Sequence, residues 1–161
     1  MTPHNLPGDQ EKAVSYKNIH VSCAAFKPHD LIPRRYTCDG ANVNPPLNLD
    51  HIPEEAVSLA IIVDDPDAPV GTWVHWVIWN IPVTHHLKEN HAPGTQGLND
   101  FGKTTYSGPC PPKGTHRYFF KVYALDCKLE LPAQARKADL EKAMGGHVIA
   151  FGELMGLYER I

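Results

Sequence analysis

The chain has 161 residues, with 15 Lys or Arg against 18 Asp or Glu, a formal charge of −3. That length suits one compact domain burying roughly 70% of the surface its unfolded form exposes, with no cross-link or metal needed to hold it. Both signs of charge are scattered and no run of five or six like charges occurs, which excludes a nucleic-acid arm. The longest apolar stretch, Leu59 to Val63, falls far short of the ~20 residues of a membrane-spanning helix.

Residues 1–14 are polar, carry Pro3, Pro7 and Gly8, and read as a flexible arm ahead of a domain spanning 15–161. They lack the basic start and apolar stretch of a signal peptide, which predicts a cytoplasmic protein. Fifteen prolines, about twice the usual ~5% share, break the chain into short segments and favour a mostly β fold over a helical bundle. Residues 57–63 form an apolar, β-branched run ended by Asp64-Asp65-Pro66 and predict a buried strand. Residues 73–81 are apolar on both alternating faces, the pattern of a central strand covered on both sides. Residues 116–125 give a third strand, with His116, Tyr118, Phe120, Val122 and Ala124 on one face. The connections over 27–51, 64–72, 82–100 and 101–115 are dense in Pro, Gly, Asn and His, the composition of loops that carry binding groups. A helix is expected over 133–144, stopped by Gly145-Gly146, with Asp139 a second possible start. Residues 148–158 fit either a strand or a short helix followed by one.

The four cysteines, Cys23, Cys38, Cys110 and Cys127, have no C-x₂₋₄-C spacing, so no structural zinc site is expected. In a cytosolic chain they are expected to stay free thiols, although nothing in the sequence decides whether Cys38 and Cys110 meet.

Three clusters could carry chemistry. Asp64-Asp65-Pro66-Asp67-Ala68-Pro69 places carboxylates on a stiff turn at the end of a strand; the plainer alternative is a solvated, self-capped turn. His75 stands inside an apolar strand, where it is either a hydrogen-bonded core histidine or a ligand-facing imidazole oriented by Asp65 or Asp67. The stretch Gly108 through Tyr118 runs from a Pro/Gly loop into a strand whose first residues on one face are His116 and Tyr118. There Gly108 could let backbone N–H groups approach an anion. No G-x-S-x-G, H-E-x-x-H, P-loop or dinucleotide fingerprint occurs, so neither a cofactor nor a metal is expected.

Asp65-Pro66-Asp67-Ala68-Pro69, Trp73-Val74-His75-Trp76 and Gly108 through Gly114-Thr115-His116-Arg117-Tyr118 together resemble the phosphatidylethanolamine-binding protein family, which includes the Raf kinase inhibitor proteins. Tyr36-Thr37-Cys38-Asp39-Gly40, Asn44-Pro45-Pro46-Leu47 and the ending Gly156-Leu157-Tyr158-Glu159-Arg160 resemble its short bacterial and archaeal branch. The likeness runs from about residue 17 to the end. It implies a large central antiparallel sheet packed on a smaller sheet, with a few peripheral helices. It also implies a non-catalytic pocket for phosphate, a carboxylate or a phospholipid head group, formed by Asp65, Asp67, His75, Gly108, His116 and Tyr118. Asp65 and Asp67 are expected to orient the imidazoles and favour their charged forms. Further implications are a homodimer, a possible protein target of the kinase- or protease-inhibitor kind, and a cis peptide at Ala68–Pro69. The competing reading is a metal-assisted phosphoester or acyl hydrolase using the same residues.

Overall fold

The structure is a computed structural model that describes residues 17–160, so the arm expected over 1–14 lies outside the described residues. Its elements in chain order are β1 (Lys17–Asn18), β2 (His20–Ser22), a 3-10 turn (Arg34–Tyr36), β3 (Leu47–Asp50), β4 (Ser58–Asp65), β5 (Trp73–Ile81), β6 (His86–Leu87), β7 (Thr95–Gln96), β8 (Thr115–Leu125), α1 (Lys137–Met144) and β9 (Val148–Glu159).

The long apolar segments pair with one another because each has two faces to bury. A six-stranded sheet of order β1-β9-β8-β4-β5-β7 results, and a three-stranded sheet β2-β3-β6 packs on it. The pairings are antiparallel except for β1, which lies parallel to β9 at one edge. Leu59, Ile61, Val63, Tyr118, Phe120 and Val122 meet Val21, Leu47, Leu49 and Leu87 of the small sheet in one core layer. Ala60, Ile62, Trp79 and Leu125 face the other way, onto Leu140 and Met144 of α1. Among the described residues no helix is long and apolar enough to cross a membrane.

Two expectations need correction, and one open alternative resolves. The helix begins at Lys137 and not at 133, because Gln134 has φ 76°, a left-handed conformation that a helix cannot contain. Asp139 then marks the start by accepting a hydrogen bond from the Arg136 N–H at 2.9 Å. Residues 148–159 form one continuous strand with no helix, since β8 offers a partner along nearly its whole length. No described peptide bond is cis, Ala68–Pro69 included.

Candidate functional site

β4 runs antiparallel to both β5 and β8, so its C-terminal end and the N-terminal ends of those two strands share one edge of the molecule. Asp64 and Asp65 are the last two residues of β4 rather than the start of a turn, and a strand sends successive side chains to opposite faces. The acidic cluster is therefore dispersed. Asp64 meets Lys137 Nζ at 2.8 Å and Lys121 Nζ at 3.2 Å. Asp65 turns to the small-sheet side and accepts from His116 Nδ1–H at 2.6 Å, with both side chains buried. Asp67 stays on the turn, where its carboxylate accepts from Arg117 Nε at 2.9 Å, from the guanidinium NH2 at 2.8 Å and from the Arg117 backbone N–H at 3.0 Å. That guanidinium holds Asp67 below the usual carboxylate range.

His75 owes its direction to a β-bulge. Val63 pairs with Trp76 while the next residue, Asp64, pairs with Val74, so His75 is the extra residue of β5. Its carbonyl, freed from the ladder, accepts from Ser107 N–H at 3.1 Å and Asn99 Nδ2 at 3.1 Å. Its Nδ1–H donates to the Ser107 carbonyl at 2.6 Å, which assigns the tautomer and leaves Nε2 as the ring nitrogen without a proton, with the Gly108 backbone also beside the ring. Burial drives the pKa of His75 down, and the Ser107 carbonyl and the charge of Asp65 oppose this only in part. The expectation that neighbouring carboxylates would hold this imidazole in its charged form is thus reversed by desolvation.

Asp65, His75, His116 and Tyr118 surround a cavity of about 200 Å³ walled by Pro69, Val70, Trp73, Phe101, Pro111 and Pro112. The Tyr118 ring stands edge-on to His75 at 5.3 Å and stacks beside His116 at 6.4 Å. Its buried hydroxyl makes no hydrogen bond of good geometry, although the Asp65 side chain and the Cys110 backbone stand beside it. Desolvation first, and the nearby Asp65 charge second, push that phenol well above its usual range. Asp67 and Gly108 do not line this cavity. The Gly108 N–H is already given to Asn42 Oδ1 at 2.7 Å, and a Cβ there would lie 2.1 Å from the Tyr36 carbonyl oxygen. Close backbone approach is therefore what requires this glycine.

Two supports have no signal in the sequence. Asn99, fully buried, reaches the His75 carbonyl, the Thr105 carbonyl and Ser107 Oγ with Nδ2 and accepts from the Phe101 and Lys103 N–H groups with Oδ1. It thereby fixes the loop that sets Phe101 against His75 at 5.2 Å; an Asn in a loop gives no hint of such a hub. Cys38 and Cys110 form a disulfide, contrary to the free thiols expected, because the fold brings residues 72 apart in sequence to a Cα separation of 5.4 Å. Cys110 itself lines the cavity.

A larger groove of about 450 Å³ lies between Asn42, Asn44, His91 and Gln96. Three of its amide oxygens are committed to the fold: Asn42 to Gly108, Asn44 to His91 N–H, and Gln96 to the Trp76 indole. The smaller cavity holds the Tyr118 hydroxyl and both pinned imidazoles.

The family model described as phosphatidylethanolamine-binding protein matches residues 22–159. A UPF0098 protein of Pyrococcus abyssi is 51% identical over 166 residues, covering 96% of this chain and 90% of its own. One of Methanothermobacter thermautotrophicus is 51% identical over 150 residues, covering 88% and 99%. Among solved structures, the phosphatidylethanolamine-binding protein homologue CT736 of Chlamydia trachomatis superposes with a TM-score of 0.86 at 41% identity, over 90% of this chain and 99% of that one. YbcL of E. coli, described as a member of the mammalian PEBP family, gives 0.82 at 31% identity, over 89% and 99%.

Proposed function

The chain belongs to the phosphatidylethanolamine-binding protein family, and from that footing we propose that it is a non-catalytic binding protein whose cavity seats one small phosphate- or carboxylate-bearing group, as a free oxyanion or a head group. The observation that carries this reading is the buried Tyr118 hydroxyl, which makes no hydrogen bond of good geometry, beside two pinned imidazoles. A buried hydroxyl without a partner costs about 1–3 kcal/mol, and a guest oxygen that accepts from it removes that penalty.

The donor pattern also defines the guest's protonation. Neutral His75, with its proton on Nδ1, offers Nε2 as an acceptor. Asp65, on the same wall, repels a fully deprotonated dianion. A phosphate or phosphomonoester monoanion, with one charged oxygen and one O–H, meets both demands, and a carboxylic acid meets them uncharged, through its O–H and its carbonyl oxygen. About 200 Å³ is below the ~300–1,000 Å³ of pockets that enclose drug-sized ligands, so head-group size fits and a whole lipid does not. A hydrolase on the same residues would need three metal ligands converging, and among the described residues the group that converges lies elsewhere.

Tyr118→Phe tests the reading. It removes the donor and the buried oxygen together, so calorimetric affinity for inorganic phosphate is expected to fall about 10–100-fold while the melting temperature holds or rises. Unchanged affinity would remove Tyr118, and with it the carrying observation.

A further inference from the structure

We propose that Asp126, Cys127 and His147 form a binding site for a thiophilic divalent cation, zinc by its chemistry, at the end of the six-stranded sheet opposite the cavity. The three residues lie where the chain leaves β8 at Leu125 and re-enters the sheet at Val148. Backbone bonds hold them there: Asp126 N–H donates to the His147 carbonyl at 3.0 Å, and His147 N–H to the Met144 carbonyl at 2.9 Å. Ser58 Oγ donates to the Cys127 carbonyl at 2.6 Å, fixing the third member.

In an extended strand the adjacent Asp126 and Cys127 would face opposite ways, but the chain bends at both residues and brings their side chains together. One ligand atom from each of the three residues lies within 4.8 Å of the others. Around tetrahedral zinc, with bonds of ~2.0–2.3 Å, ligand atoms stand about 3.5 Å apart, so side-chain rotation of the order of an ångström closes the site. His147 is already turned toward Asp126, with Nδ1 2.8 Å from Oδ1. The side chains of Asp126 and His147 are about half exposed, which gives a cation a way in.

The donors select the cation. A thiolate and an imidazole suit zinc and its relatives and disfavour magnesium and calcium, which take oxygen. Carboxylate plus thiolate neutralise a 2+ charge, and three protein ligands leave a fourth position for water. The same trio also has the outline of a thiol nucleophile, a base and an orienting acid. As a metal site, it would release the thiol proton when the cation binds Sγ.

Cobalt(II) serves as the probe, added without thiol reductant to the full-length protein. A sulfur-to-cobalt charge-transfer absorption saturating at one equivalent and bleached by zinc is expected. Cys127→Ser should abolish it, His147→Ala and Asp126→Asn should weaken binding about tenfold or more, and Cys23→Ser should leave it intact. Zinc should also raise the melting temperature of the unaltered protein but not of Cys127→Ser. No sulfur-to-cobalt absorption, or one that survives Cys127→Ser, would overturn the site. Phosphate affinity should be the same in Cys127→Ser, so failure here is distinct from failure of the cavity reading.

Discussion

Loss of the Cys38–Cys110 bond is expected to destabilise the fold by about 4 kcal/mol, the chain-entropy value for a loop of some 72 residues. A protein of this size has about 5–15 kcal/mol in all, so the change is large. Denaturant curves of the oxidised protein, the reduced protein and Cys38→Ala/Cys110→Ala should show a lower midpoint in the last two. Because Cys110 and Pro111 wall the cavity, phosphate affinity should fall in parallel. Superimposable curves with and without reductant would mean that the bond constrains nothing.

Removing both cations from Asp64 is expected to be as damaging. The Asp64 side chain is 2% exposed, and Lys121 and Lys137 are its ionic partners, the second tying α1 to the sheet. Lys121→Met/Lys137→Met leaves a buried charge uncompensated, a loss of about 3–5 kcal/mol. Adding Asp64→Val should restore most of it, since an apolar trio removes the unpaired charge along with the pair. Phosphate binding by that triple variant should match the unaltered protein, because Asp64 faces away from the cavity. A double variant as stable as the parent would refute the structural role given to Asp64.

What the sequence discloses follows the length of each physical signal. β5 is legible over its full extent because seven apolar residues in a stretch of nine admit few alternatives. β3, β6 and β7 are two to four residues long inside Pro- and Asn-rich connections, too short for any alternation to register. β4 extends two residues beyond its apolar run because Lys121, Lys137 and His116 receive the carboxylates that would otherwise end it. The alternation of β8 places His116 and Tyr118 on one face, and the antiparallel pairing with β4 sets Asp65 against them. The bulge at His75, the Arg117 grip on Asp67 and the disulfide depend on pairings between distant segments. No local pattern encodes them.

The most direct measurement of the central claim is calorimetric titration with inorganic phosphate across the range from about pH 6 to about pH 8. Burial keeps His75 neutral near pH 7, so the bound guest must itself supply the proton shared with Nε2. Once free phosphate has lost that proton, each complex takes one up from solvent, and affinity should fall by up to about tenfold per pH unit. Affinity that stays level, or that rises with pH, would contradict a protonated oxyanion in this cavity.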